Sequence, residues 1–351
     1  MEEYIAFDSH KRYTWVEREE VASGKLRQFR LAHAPGAIRN ALVGCAAGTA
    51  VAIEATANWY WITDEIEQAG LQPRLVHPRK AKLMMGLTNK TDRLDAHGLN
   101  QLQRNKTLPT VWIPPGPLRE LRELTRTRVV LVAQRTRWKN RITATLTKWG
   151  LPASEYSDAY GKSARGELQT RIASLPTQTR WVVQQMLAQL DVLGEQIRQF
   201  EQRLKELVEV TPEMQRLESL PGVGEILAAT IVLEIGEIGR FLSAERLASY
   251  AGTVPRVHAS GDRVRYGRTR VDVNRYLKWA FAEAANSVAV NYKRRPERHV
   301  SRLYARLRAK KGHSKAVGAV ARHLAEATFH VLSGRQDYRD PAVAVGRTRE
   351  V

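Results

Sequence analysis

The sequence predicts an α/β amino-terminal domain, a long helical coiled-coil arm and a mainly α-helical carboxy-terminal domain. Three observations predict this. Short β-rich apolar runs alternate with a helix-like stretch through the first hundred residues. A proline cluster, Pro109, Pro114, Pro115 and Pro117, then interrupts the pattern, because proline fixes φ and removes a backbone donor. Beyond it, Val183, Met186, Leu190, Leu193, Ile197, Phe200, Leu204 and Leu207 recur at alternating three- and four-residue steps. That spacing places apolar side chains in a seam along one helix face. The expected divisions are residues 1–112, 113–210 and 211–351, which suits a 351-residue chain at roughly 100–200 residues per domain.

In chain order, Tyr4-Ile5-Ala6-Phe7 is a short apolar strand ending in Asp8. Tyr13–Val16 and Leu26–Leu31 are two further strands, with turn-like Ser23-Gly24 between them. Thr49–Ile53 is another apolar run and ends in Glu54. A helix through Trp59, Ile62, Ile66 and Ala69 stops at Gly70, and Leu75-Val76 begins a strand leading into Arg79, Lys80 and Lys82. Three strands followed by strand–helix–strand–helix is the order of an RNase H-like fold. After the prolines, a helix spans Leu118 to Trp149 with Trp138, Ile142, Leu146 and Trp149 on one face. A loop with short helical pieces fills 150–178. The Val183–Leu207 seam packs on the 118–149 helix, on a second copy of the chain, or on both.

Composition narrows the partners. The chain carries 56 basic and 36 acidic residues, a net charge of +20. From Arg256 onward there are 22 basic and 8 acidic residues, a net of +14, against +3 for residues 1–110. Positive charge gathered in one segment is the footprint of a polyanion binder. No run approaches the roughly 18 apolar residues of a membrane span, and no basic–apolar leader opens the chain. The single cysteine, Cys45, excludes an intramolecular disulfide and a cysteine-rich zinc site. A cytoplasmic, nucleic-acid-binding protein with no membrane partner is expected.

Chemistry is suggested first by acidic residues. Asp8 and Glu54 end two strands. Asp92 and Asp95 stand three apart in Lys90-Thr91-Asp92-Arg93-Leu94-Asp95, an offset that puts both on one helix face. Four converging carboxylates repel one another, and divalent cations relieve that repulsion. An all-oxygen ligand set selects Mg²⁺ or Mn²⁺, and a pair of such ions suits phosphodiester displacement. Second, Leu220-Pro221-Gly222-Val223-Gly224 precedes an apolar helix and reads either as the hairpin of a helix-hairpin-helix element or as an ordinary tight turn. In the first case Gly222 and Gly224 let the backbone meet a phosphate. Third, Ser260-Gly261 lies among Arg256, Arg263, Arg265, Arg268 and Arg270, with Lys278 further on. Such cations neutralise phosphate, but a serine in that setting is more often a turn residue than a nucleophile. His10, His77, His97 and His258 lack metal-ligand spacing, and only His258, two residues before Ser260, invites a test.

Taken together, Phe7-Asp8-Ser9-His10-Lys11, Ile53-Glu54-Ala55-Thr56, Lys90–Ala96, Leu220–Gly224, Pro255–Gly261 and Asn274-Arg275-Tyr276-Leu277 resemble the DEDD transposases of insertion sequence family one-ten, the bridge-RNA-guided recombinases. The resemblance runs in order from Tyr4 to Ala285 and names nothing past Asn286. It implies a RuvC-like domain holding Mg²⁺ through Asp8, Glu54, Asp92 and Asp95. It also implies a transposase domain whose serine, Ser260, attacks DNA and forms a phosphoserine linkage. Donor and target DNA, a structured guide RNA and a homo-oligomer (dimer or tetramer) with an active site shared between subunits follow from the same resemblance. Two competing readings remain at this point. One is a RuvC-like nuclease or junction resolvase using activated water, with a structural serine. The other is a non-catalytic scaffold, for which a four-anion cluster beside a polyanion has no use.

Overall fold

A computed structural model describes residues 3–86, 91–151, 154–156, 158–261 and 263–341; Lys90 lies outside them. The chain divides into two compact units between Pro114 and Pro115.

The first unit contains β1 (Glu3–Ser9), β2 (Tyr13–Glu20), β3 (Leu26–Ala32), α1 (Ala37–Ala41), β4 (Ala50–Glu54), α2 (Trp59–Gln68), β5 (Gln72–Val76), α3 (Pro78–Met85) and α4 (Asp92–Arg104). Its sheet runs β3-β2-β1-β4-β5. β1, β2 and β3 pair antiparallel, whereas β1–β4 and β4–β5 are parallel. A mixed sheet in this order agrees with the expected RNase H-like domain. Two helices, α1 and α3, were not expected from the sequence pattern. The five residues of α1 are too few to show a period. For α3, the basic run after Leu75-Val76 is helical because Pro78 sits in the first turn and the His77 ring caps the Lys80 amide.

Strand alternation sorts the side chains. Ile5 and Phe7 of β1, with Val51 and Ile53 of β4, join Ile38, Leu42, Ile62 and Ile66 in one apolar core. Ala6 and Ala52 point the other way, into a second core with Ala81, Leu99 and Leu102. Small residues there let α4 lie close to the sheet. Each fully buried Ile or Phe of these cores contributes about 1.5–3 kcal/mol. The residues that follow Ala6 and Ala52 by two are Asp8 and Glu54, so the same alternation sends both toward α4.

The second unit contains α5 (Gly116–Lys148), α6 (Arg165–Ala173), α7 (Thr177–Leu207), α8 (Pro212–Glu218), α9 (Glu225–Ile235), α10 (Ala244–Tyr250), β6 (Pro255–Ser260), β7 (Arg263–Thr269), α11 (Arg275–Asn291), α12 (His299–Lys311) and α13 (His313–Gly334). α5 and α7 pack antiparallel. Ile142 and Leu146 meet Val183, Met186, Leu187 and Leu190 in one core, and at the other end Arg128 Nε donates to Glu201 at 2.9 Å. The 3-4 seam of α7 is therefore filled within the chain; Val183 to Ile197, and Leu204, are buried along it, while Leu207 is exposed. α8 to α13 share a separate large core containing Leu217, Ile231, Phe281, Val320 and Leu324.

Candidate active site

The first unit gathers acidic groups at one end of its sheet. β1 and β4 run parallel with Phe7 beside Ile53, and the next residues are Asp8 and Glu54. α4 begins at Asp92 because Thr91 caps it, its Oγ1 accepting from Leu94 N at 3.2 Å. Asp92 and Asp95 thus occupy the first turn, where acidic side chains suit the helix dipole. A polar ladder holds α4 on the sheet. Buried Glu17 of β2 accepts from Asn100 Nδ2 at 3.1 Å and lies 3.0 Å from His97 Nδ1. Gln103 Nε2 donates to the Ala50 carbonyl at 3.2 Å.

His10 Nε2 lies 3.1 Å from Asp8 Oδ2 and 3.2 Å from Asp92 Oδ2. Tyr13 Oη donates to the same Asp92 oxygen at 2.6 Å, and the His10 and Tyr13 rings are 4.7 Å apart. Among the described residues, Asp8, His10 and Asp92 form the group of ligating atoms that all lie within 4.8 Å of one another. Asn58 Nδ2, held by Thr56, donates to the His10 carbonyl at 2.8 Å and so ties the loop after Glu54 to the loop after Asp8.

Electrostatics marks the same spot. Burial raises the Asp8 carboxyl to about 6; His10 opposes the rise, and Glu54, Asp95 and Asp92 add to it. The other three carboxylates named from the sequence, Glu54, Asp95 and Asp92, therefore each act on Asp8. Oxygen donors whose charge is mutually unfavourable fit a hard divalent cation, which inverts the local preference for protonation. The sequence pattern missed His10 and Tyr13 as members of this site. The signal for His10 was its two-residue offset from Asp8; nothing local marked Tyr13.

Ser260 belongs to the second unit. It ends β6 opposite Arg263, and His258 stands opposite Arg265 in the β6–β7 hairpin. By alternation His258, Ser260, Arg263 and Arg265 share one face, a polar and basic one. Val257, Ala259, Val264 and Tyr266 share the other. Gly261 takes φ +56° at the turn. Arg263, Arg265 and Arg268 are exposed and Arg256 is half-buried. Two expected phosphate-binding cations already have internal partners. Arg270 Nε donates to Asp272 Oδ1 at 3.0 Å, and Lys278 Nζ donates to Thr269 Oγ1 at 2.6 Å.

Gly222 has φ +82°, and a Cβ there would fall 2.3 Å from the Ala284 carbonyl oxygen of α11. Close packing of the α8–α9 turn on α11 demands this glycine without reference to a phosphate. Gly224, by contrast, has open space around it and precedes the first turn of α9.

At the root of the hairpin lies a fully buried carboxylate. Glu234 accepts two bonds from Arg126, at 2.6 and 2.9 Å, and one from Asn274 Nδ2 at 2.7 Å. Asn274 Oδ1 in turn caps α11 at Tyr276 N and Leu277 N, both 3.0 Å. This hub joins α5, α9 and α11.

Comparison with known proteins agrees with both units. A transposase family model for the DEDD domain of IS110 type matches residues 5–150. A second, the IS116/IS110/IS902 transposase family, matches residues 214–301. The chain is 25% identical over 271 residues to the transposase for insertion sequence element IS1111A of Coxiella burnetii, covering 77% of this chain and 74% of that one. It is 25% identical over 242 residues to a probable family 20 transposase of Pseudomonas aeruginosa, covering 68% and 70%. A shorter stretch of 86 residues, 22% of this chain and 21% of its relative, is 41% identical to the mini-circle putative transposase for IS117 of Streptomyces coelicolor. Among the described residues no helix is long and apolar enough to cross a membrane. With a DEDD domain that implies divalent metal use, followed by the family's second domain, the chain belongs to the IS110/IS116 family of insertion sequence transposases, enzymes that cut and rejoin DNA.

Proposed function

We propose that this transposase cuts and rejoins DNA through a serine-linked intermediate, guided by a structured noncoding RNA. Asp8, Glu54, Asp92 and Asp95 would hold Mg²⁺, or Mn²⁺ in its place, and Ser260 is the nucleophile. The observation that carries the metal site is the convergence of Asp8 and Asp92, with Glu54 and Asp95 acting on Asp8, at the end of parallel strands. A bound divalent cation supplies positive charge to the oxygens that attack and leave phosphorus.

The chain's own residues do the rest. Ser260 Oγ forms a bond to phosphorus while the phosphorus–oxygen bond to one sugar breaks. The hydroxyl proton passes to a base, for which His258 on the same hairpin face is the candidate, and the departing sugar oxygen takes up a proton. Rejoining reverses these steps on a second strand end. Arg263 and Arg265 flank the serine and offset charge on the phosphate. Arg256, Arg268 and the backbone at Gly224 contact DNA further out, and Gly222, Arg270 and Lys278 support these contacts from within. Residues 1–112 act as the RuvC-like metal domain, 113–210 as the coiled-coil arm and 211–351 as the serine-bearing domain, which includes a helix-hairpin-helix-like turn. Donor DNA, target DNA and guide RNA meet on a dimer or tetramer in the cytoplasm, with the sequence of the target read by RNA pairing.

The second reading, hydrolysis by activated water with a structural serine, is favoured by the exposure of Ser260 at the end of β6, next to the hairpin turn. One assay separates the two. The protein, its copurifying RNA and end-labelled element DNA are incubated with Mg²⁺ and resolved under denaturing conditions. A protein–DNA adduct that persists in the wild type and is lost in Ser260→Ala, with Mg²⁺ still raising the unfolding temperature of that variant, supports the serine. Cleavage of equal rate without an adduct in both proteins supports water.

A further inference from the structure

The α5–α7 pair carries two tryptophans at the edge of its packed seam. Val183, Met186 and Leu190 face α5 and are buried. Trp181 and Val182 lie just ahead of that seam on the outward side, 59% and 40% exposed. Outward positions of a helix pair ordinarily carry charged or polar residues, and the core gains nothing from an indole there. Trp138 of α5 packs partly against the pair's core and forms the opposite wall of a cleft of about 440 Å³, completed by Arg141, Val182, Gln185, Met186 and Gln189.

The charged residue that lines this cleft is a cation, Arg141. Residues 135–148 contain Arg135, Arg137, Lys139, Arg141 and Lys148 and no acidic residue, and residues 177–190 contain Arg180 and none. Lys139 is taken up by Asp158 at 3.2 Å and Arg180 by the Leu175 carbonyl. Arg141 is exposed at the cleft itself. Two indoles, a guanidinium and two amides form the set that holds an unpaired base. The rings and guanidinium stack on its face, the amides bond its edge, and positive charge meets the flanking phosphates. A second copy's helix would suit the site less well, since Arg141, Gln185 and Gln189 would have to be desolvated against an apolar face.

We propose that the Trp138–Trp181 cleft is a stacking site for an unpaired base of single-stranded nucleic acid. It rests on the reading that the chain handles nucleic acid, but not on Ser260 or the carboxylates.

The test uses the full chain and ten-nucleotide adenosine strands, one RNA and one DNA, each with a central 2-aminopurine. A duplex of the same length serves for comparison. Wild type should quench the 2-aminopurine of at least one strand, and the arm that responds identifies the source. Trp181→Ala should remove the quench and weaken single-strand binding roughly 5- to 150-fold, the range expected for stacking of one base. Trp181→Phe should restore most of both, and duplex binding should change less than about twofold. Gln185→Ala gives a second variant, with a smaller loss for the strand alone. Undiminished quenching in Trp181→Ala overturns the proposal, as does parallel weakening of strand and duplex. A shift of Trp181→Ala to a smaller assembly in sedimentation with unchanged strand binding also overturns it and assigns the cleft to a second copy. If the wild type binds neither strand nor duplex, the nucleic-acid reading itself fails.

Discussion

The acidic end of the first unit's sheet and the hairpin bearing Ser260 are built on opposite principles. Asp8 is 4% exposed at the end of a central strand, clamped between two apolar cores. Its neighbour Asp92 is held by a capped helix, by His10 and by Tyr13. The hairpin has no such shell. Val257 and Val264 are each 56% exposed and Tyr266 72%, and two strands alone are marginal in water. Its order comes from the root, where Pro255 pairs with Thr269, Lys278 holds Thr269, and Asn274 is fastened to Glu234. Carboxylates that must share a cation need fixed separations and a low dielectric. If Ser260 is the nucleophile proposed above, it must reach a bulky polyanion, and its precision would be carried by the base of the hairpin.

The largest expected effect breaks the first region's chemistry while sparing its fold. Asp92→Asn or Asp95→Asn should abolish strand cleavage in a labelled-DNA assay while leaving RNA binding nearly unchanged. Both side chains are partly exposed in a first helical turn, so the fold survives the change. Full cleavage by both variants would remove them from the metal site. Ser260→Ala should be equally severe for adduct formation yet shift unfolding by less than about 0.5 kcal/mol, as for an ordinary surface position. Next in size is the hairpin's root. Glu234→Ala removes the carboxylate that the Arg126 guanidinium and the Asn274 amide share, and breaking a buried pair costs about 3–5 kcal/mol. Because Arg126 is itself part-exposed, the low end, about 3 kcal/mol in urea unfolding, is expected. An unfolding midpoint equal to wild type would mean that the hub does not anchor the hairpin.

Much of the first unit was legible in the sequence because its elements are short and separated by clear turn residues. Strand ends at Asp8 and Glu54 and the capped start at Asp92 are local features, and strand alternation carried them to one face. What could not be read was contact between distant segments. Nothing in the pattern brings Tyr13 to Asp92, 79 residues on, or His97 to Glu17. Polar bonds of this sort leave no period, and His10, judged by ligand spacing alone, looked scattered. In the second unit the α7 seam was plain, but its partner was not, since an apolar repeat does not say which helix it faces. Gly222 shows a different limit. A glycine demanded by the Ala284 backbone and one demanded by a phosphate look alike in one dimension.

The acidic end should also declare itself through pH. The Asp8 carboxyl, ordinarily near 3.8, rises to about 6 in the folded, metal-free chain. The folded state thus binds this proton more tightly than the unfolded state. The resulting stabilisation is fully present below about pH 3.8 and is lost as pH rises through about 6. A rise of this size corresponds to about 3 kcal/mol, so in EDTA the wild type should lose roughly that much between pH 4 and 7 relative to Asp8→Asn. At pH 7 Asp8→Asn should be the more stable protein, and Mg²⁺ should raise the unfolding temperature of the wild type more. Parallel pH curves for the two proteins in EDTA would show that Asp8 is not strained by its neighbours.

The smallest effect sharpens the contrast at the hairpin. Arg263 and Arg265 are exposed and share the Ser260 face, so on the proposed reading they meet phosphates and do not stabilise the fold. Each phosphate neutralised on duplex DNA releases about 0.9 counterion, which appears as the slope of log affinity against log salt. Arg263→Ala combined with Arg265→Ala should therefore lower that slope by roughly 1.8 if both contact phosphate, with an unchanged urea midpoint. Arg270→Ala should act the other way round. Its guanidinium is engaged by Asp272 at the hairpin's root, so the slope should hold while the midpoint falls. A slope lost through Arg270 and kept through Arg263 and Arg265 would reverse the division between a presented face and an anchored base.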